Sequence, residues 1–312
     1  MSIWNCLQGV MIKGFIMTVP FLDALKHRVL ICDGAMGTML YSSGVFLNRS
    51  FEELNLSEPD RVASVHRSYL NAGADVIESN TFGCNALKLE TFGIRNKIKQ
   101  INDAGVRLAR EVADEKAYVA GAIGPLGVLI EPYGKTTQEE AEIYFCEHAS
   151  LLSDAGVDLF MLETFCSVGE LLIAVRALKK IQDLPVVAQF TMSSNNETTD
   201  SASPELCARK LQDEGVSVIG INCGSGPASM LEIAKRVASV VKKPLSVQPN
   251  AGLPRLVEGR TMYLSSPDYL ASYSKRFVNC GARLVGGCCG TTPAHISQIR
   301  SAVSCGQTGD KL

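Results

Sequence analysis

The chain has 312 residues, 46% hydrophobic and 20% charged, with a formal net charge of −2. Such a composition supports a sizeable core, and the length suits one large α/β barrel or two small domains. The near-neutral charge gives no footprint for nucleic acid or an anionic membrane, which argues against both as partners.

Residues 1–20 are fairly apolar but are interrupted by Lys13 and by scattered Gly and Gln. The stretch is too short and broken for a spanning helix and lacks the form of a secretory signal. It reads as an N-terminal extension, poorly ordered or packed on a domain formed by residues 21–312. From there, short β-branched runs alternate with longer amphipathic stretches. The expected strands are Val29–Asp33, Val76–Asn80, Tyr118–Ile123, Leu159–Glu163, Val186–Phe190, Val218–Asn222, Leu245–Gln248 and Leu284–Gly287. Helical patterns lie between and after them, at Arg61–Asn71, Lys97–Ala113, Gln138–Ala155, Val168–Ile181, Pro204–Glu214, Ala228–Val241, Asp268–Cys280 and Pro293–Ser301. Several end in a glycine (Gly73, Gly156, Gly215, Gly281), which fits the left-handed residue that closes a helix. Eight strand–helix units without a linker predict a single-domain (β/α)8 TIM barrel. A doubly wound open sheet is the rival.

The eleven cysteines are odd in number and scattered, several of them inside apolar runs. They argue for a reducing, cytoplasmic compartment rather than a disulfide scaffold. A monomer or weak dimer is expected.

In a barrel, the C-terminal strand ends form one rim around a single mouth. Asp33, Asn80-Thr81, Glu163, Cys223, Asn250 and Cys288-Cys289 all fall at or just beyond such ends. Adjacent cysteines can hardly bond to each other without strain, but both can face one soft metal. With Cys223 they offer three thiolates to Zn²⁺ and leave a fourth position open. Such a centre is electron-rich and a poor acid for splitting water, so it suits holding an incoming thiol as thiolate. Two blander readings are a structural zinc, which would need a fourth protein ligand, and three buried thiols with no metal. The flanking glycines Gly224, Gly286, Gly287 and Gly290 open the backbone around the thiols and argue against the latter.

Glu163 ends an apolar strand, where a carboxylate is costly unless a cation pairs with it; a substrate amino group would serve. Asp33 ends the first strand, where by itself it reads no more strongly than as a helix-capping or turn carboxylate, and Thr81 offers a hydroxyl to the same mouth. The Gly121–Gly127 run lacks the Lys-Ser/Thr of a phosphate loop and reads as a tight barrel loop. The histidines, His27, His66, His148 and His295, lie in helices or flanks away from the strand ends, so a His-ligated hydrolase is a poor fit.

Taken together, Asp33–Thr38, Ala72–Phe82, Glu163-Thr164-Phe165, Asn222-Cys223 and Gly286–Thr291 resemble the zinc-dependent homocysteine S-methyltransferase family. The likeness runs from about Arg28 to Ala302 and is nearest to the N-terminal homocysteine-binding module of cobalamin-dependent methionine synthase. It also extends to betaine–homocysteine methyltransferase. The resemblance implies that Cys223, Cys288 and Cys289 bind Zn²⁺ and that Asp33 and Glu163 receive the homocysteine amino group. It further implies that Thr81 and backbone amides near Gly34 and Ala35 hold the amino acid, and that Asn250 fills the metal site without substrate. No catalytic residue beyond the metal site is implied. The implied reaction is methyl transfer to the thiolate of L-homocysteine, forming methionine. Because no folate or corrinoid module follows the barrel, the expected donor is methylcobalamin on a separate corrinoid protein. A small onium donor (betaine or S-methylmethionine) is the alternative within the class. Outside it stand a zinc-thiolate demethylase using another thiol acceptor and a non-catalytic zinc sensor.

Overall fold

A computed structural model describes residues 19–46, 48–257 and 260–307. The expected N-terminal extension therefore lies outside the described residues, apart from Val19 and Pro20. The strands are β1 Leu30–Ile31, β2 Val76–Glu78, β3 Tyr118–Ile123, β4 Leu159–Phe165, β5 Val186–Phe190, β6 Val218–Asn222, β7 Leu245–Gln248, β8 Arg255–Val257, β9 Arg260–Met262 and β10 Ala282–Val285. Eight of them form one sheet in the order β1-β10-β7-β6-β5-β4-β3-β2, with every pairing parallel. A parallel bridge between Cys32 and Val76 joins the first strand to the second and brings the ring round to closure. This is a (β/α)8 TIM barrel.

Alternation along the strands divides the core. Ile31, Ile77, Val119, Phe160, Leu162, Ala188, Ile219 and Val285 point outward into the packing against the helices. Leu30, Val76, Tyr118, Leu159, Val187, Val218 and Leu284 point inward and form an apolar plug. Phe21, Ala24 and Leu25 of the helix Phe21–His27 join that inner cluster from the N-terminal end. Arg283 holds this helix in place by donating to Leu25 O at 3.0 Å and to Lys26 O at 2.7 Å. The interior at one end of the barrel is thus closed by apolar packing, with the Asp75–Arg28–Arg300 ion pairs among the strand starts at that same end.

The helices start where the sequence provides a cap. Thr137 and Glu140 form a reciprocal capping box on Gln138–Asp154, while Ser167, Ser203 and Ser266 cap Val168–Ile181, Pro204–Asp213 and Pro267–Asn279. Gly73, Gly156, Gly215 and Gly281 all adopt positive φ, between 70° and 97°, as the helix stops require.

The expected strands agree with the structure to within a few residues. The strand β1 is short, Leu30–Ile31, although Cys32 and Asp33 still make backbone bonds to Val285 O and Val76 O, and β4 runs on to Phe165. Elements without a clear apolar period escaped the sequence reading. They include the helices Met36–Ser42 and Ala86–Thr91 and the exposed β8–β9 hairpin. Among the described residues no helix is long and apolar enough to cross a membrane.

Candidate functional site

The mouth is assembled from strand ends that the chain separates widely. Cys223 follows β6, and Cys288 and Cys289 follow β10. Their sulfurs all lie within 4.8 Å of one another, with Cys223 Sγ and Cys289 Sγ 3.8 Å apart. Tetrahedral geometry with metal–sulfur bonds of about 2.3 Å requires sulfur–sulfur separations of about 3.8 Å. Cys223 adopts φ +54° and Thr164, across the mouth, φ +64°. Left-handed backbone at residues other than glycine is strained, and such strain concentrates where a side chain must be aimed.

The three thiols compete for a single negative charge. Hydrogen bonds from Cys288 and Cys289 pull the Cys223 thiol far down, to about 3. The bond to Cys223 in turn pushes Cys288 well up and Cys289 up to about 12. The protein alone therefore favours one thiolate and opposes the second and third; a divalent cation would remove the conflict. Asn250 is buried beside Cys223, and its Oδ1 has no hydrogen-bond partner. A buried, orphaned carbonyl oxygen next to three converging sulfurs fits a metal ligand set. The residues present suit a thiophilic divalent ion.

Beneath the sulfurs lies a carboxylate floor. Asp33 Oδ2 accepts from the Glu78 amide at 3.0 Å, and the Glu78 and Glu163 side chains meet. Burial is the largest influence on all three carboxyl groups and drives each above the ordinary range; Glu78 adds to the effect on Asp33 and on Glu163. Asn222 joins floor to thiols: its Nδ2 donates to Thr164 Oγ1 at 2.9 Å and lies 3.4 Å from Glu163 Oε2 and 3.9 Å from Cys288 Sγ.

Of the site residues expected from sequence, Cys223, Cys288, Cys289, Asp33, Glu163 and Asn250 meet in this mouth. The other expected contacts, Thr81 and the Gly34–Ala35 amides, have partners of their own within the protein or sit beside them. Thr81 is fully buried, its hydroxyl accepting from Ser79 Oγ at 2.7 Å and donating to Ala122 O at 2.9 Å inside the wall. The Ala35 amide already donates to Thr291 Oγ1 at 3.2 Å, which leaves Gly34 as the neighbouring amide on that loop. His295 is also less remote than expected: it bonds Thr292 and Ser265 O and so pins the segment after β9 to the helix that follows the thiols.

Sequence reasoning missed two residues. Glu78 shares the inward parity of Val76 and ends an apolar run, the same signal that singled out Glu163. Tyr263 brings its phenol to the Cys289 sulfur from the loop after β9, and that approach left no sequence signal.

A parallel barrel closed at one end, with a thiol cluster and buried carboxyl groups at the other, has the architecture of a TIM-barrel enzyme. The sequence profile of the homocysteine S-methyltransferase family matches residues 30–303. The chain belongs to that family. It is 37% identical over 301 residues to the methionine synthase of Mycobacterium tuberculosis and 36% identical to that of Mycobacterium leprae. These alignments cover 91% of this chain, which spans about a quarter (25%) of the length of those relatives. Among solved structures, the metallated form of the homocysteine methyltransferase MmuM from Escherichia coli superposes with a TM-score of 0.76 at 24% identity, covering 88% of this chain and 96% of that one. A methyltransferase from Methanosarcina mazei gives 0.61 at 12% identity over 94% of this chain and 100% of its own. At these identities the structural likeness speaks for the fold.

Proposed function

We propose that this chain transfers a methyl group to the sulfur of L-homocysteine, forming methionine, with Zn²⁺ held by Cys223, Cys288 and Cys289. The observation that carries the reading is the placement of three converging sulfurs directly above buried, uncompensated carboxyl groups. One end of the site suits a thiol and the other an ammonium, and an amino acid thiol has both. When bound, zinc would supply the positive charge that keeps a substrate thiol deprotonated at neutral pH.

The chain's own residues supply the rest. Asp33 and Glu163, with Glu78 between them, would receive the ammonium, whose charge offsets the cost of burying theirs. Asn222 would hold Glu163 against the thiol side. The Asn250 amide would occupy the open position until substrate arrives. With both ends of homocysteine fixed, its sulfur faces the open mouth. The sulfur–methyl bond forms in line as the donor–methyl bond breaks, and the donor keeps the bonding pair. Positioning accounts for most of the rate in such a displacement, since no proton needs to move during transfer.

For the donor we favour methylcobalamin carried by a separate corrinoid protein. Phe46, Leu129, Tyr133 and Leu253 stand exposed in the segments that follow β1, β3 and β7, and Leu256 in the β8–β9 hairpin after β7. Exposed apolar side chains on the segments that follow the strands suit contact with another protein surface. A specific observation favours the second reading, a small onium donor. A groove of about 400 Å³ is lined by Tyr41, Phe46 and Met262, and its two aromatic side chains suit a cation.

Zinc-edge X-ray absorption with and without L-homocysteine tests the acceptor and the metal together. A change from three sulfurs plus one light atom to four sulfurs is expected, and an unchanged three-sulfur site would overturn homocysteine as the acceptor. Methyl transfer assayed with methylcobalamin and with betaine then separates the donors.

A further inference from the structure

We infer that Gln248 is a positioning residue that fixes the span between the amino-group floor and the thiol cluster, making the site select homocysteine over the one-carbon-shorter cysteine. This rests on the function proposed above. Gln248 ends β7 and is buried, its side chain pointing into the barrel. Its Nε2 crosses the interior to donate to Glu78 Oε1 on β2 at 2.7 Å. Its Oε1 accepts from Gln189 Nε2, which also donates to Ser246 Oγ at 2.8 Å. The Glu78 carboxyl group at one end and Gln189 Nε2 at the other hold the Gln248 amide across the barrel, while Gln189 Oε1 is buried without a partner.

The barrel interior makes room for this chain of side chains. A Cβ on Gly220 would lie 2.6 Å from Gln189 Cγ and 3.0 Å from Ser246 Cβ. Below this level the interior is apolar, so polar side chains here are not a requirement of barrel packing. Burying amides costs free energy unless they are bonded, and here their bonds end on the floor carboxylate.

The backbone of the same segment reaches each thiol-bearing residue. Gln248 O accepts from the Cys223 amide at 3.1 Å, and Pro249 O accepts from the Cys288 amide at 2.8 Å. The Ala251 amide donates to Cys289 O at 2.9 Å. Residues 248–251 therefore hold the floor through one side chain and the sulfurs through the main chain. A fixed span favours the ligand whose amino and thiol groups are that far apart. Cysteine, one methylene shorter, would satisfy one end and leave polar groups unpaired at the other.

The variant Gln248→Met keeps the length of the side chain and removes its N–H. Zinc-loaded wild-type protein and variant are titrated calorimetrically with L-homocysteine and with L-cysteine, while zinc content and the thermal midpoint are recorded. The variant should keep its zinc and its fold, bind homocysteine on the order of tenfold more weakly, and lose most of the preference over cysteine. If Gln248→Met loses zinc or melts early, Gln248→Asn is read in its place, since it keeps the amide but falls short of Glu78. Unchanged selectivity in a folded variant, or equal weakening for both amino acids, would overturn the inference. Wild-type protein that binds neither amino acid would overturn the proposed function, and this inference with it.

Discussion

Glu163 shows how much a single inward-facing carboxylate says about its ligand. Its burial among Glu78, Asp33 and Cys223 raises its pKa well above the normal range, so the free site has a net need for positive charge. Replacing Glu163 with Gln retains shape and removes one charge-assisted contact, worth about 1.5–3 kcal/mol. Steady-state kinetics on Glu163→Gln should show KM for homocysteine raised on the order of 10- to 100-fold, with zinc content unchanged. An unaltered KM would move the ammonium elsewhere. At this scale the sequence was readable wherever a residue broke a local rule: paired thiols between glycines, or a carboxylate closing an apolar strand. At Thr81 the sequence is silent on whether a strand-end hydroxyl faces the mouth or the wall, and the structure has it bonded to Ser79 and Ala122. Tyr263 was invisible because its place depends on how the loop after β9 folds back over Gly290.

At the scale of elements, the loop after β1 is locked to the loop after β10. Tyr69 Oη lies 2.8 Å from Ala35 O and 3.0 Å from Thr291 O, and the Gly290 amide donates to Thr38 Oγ1 at 3.1 Å. Gly34 sits inside this lock: a Cβ there would lie 2.6 Å from Thr291 Oγ1 and 2.9 Å from the Tyr69 ring and hydroxyl. Neither neighbour can retreat without giving up its hydrogen bonds. Gly34→Ala should therefore lose about 1–3 kcal/mol of stability in urea unfolding; an unchanged midpoint would mean that the lock yields freely. Periodicity recovered all eight barrel strands because each is buried on both faces and reads as a short apolar run. It could not recover the β8–β9 hairpin, whose Leu256 and Val257 are exposed and carry no inward–outward alternation.

At the scale of the whole molecule, acid sensitivity has contributors outside the mouth. His66 and His148 are buried with neither ring nitrogen bonded. Burial lowers His66 to about 4 and His148 to about 3, from 6.5. Both are neutral in the fold and protonate readily in the unfolded chain, so their contribution is complete above pH 6.5. It is lost as the pH falls from there toward about 4 for His66 and about 3 for His148. The carboxyl groups at the mouth run the other way: their raised folded pKa relieves repulsion as the pH falls, so the total slope mixes both signs. The difference between wild type and His148→Leu isolates one histidine. Urea unfolding at pH 7 and pH 5 should show the variant gaining about 2 kcal/mol relative to wild type at the lower pH. Parallel behaviour at both pH values would show that His148 finds a partner when charged.

The helix Phe21–His27, wedged under the barrel, turns the site into a cul-de-sac. Whatever occupies the floor must enter first and leave last, because among the described residues Leu30, Tyr118 and Leu159 close the other end. On the proposed function this dictates the traffic: homocysteine ahead of the methyl donor, and the spent donor out ahead of methionine. Product-inhibition patterns should accordingly be those of an ordered sequence, with methionine competing against homocysteine alone. A random order would overturn this reading and call for a second route to the floor.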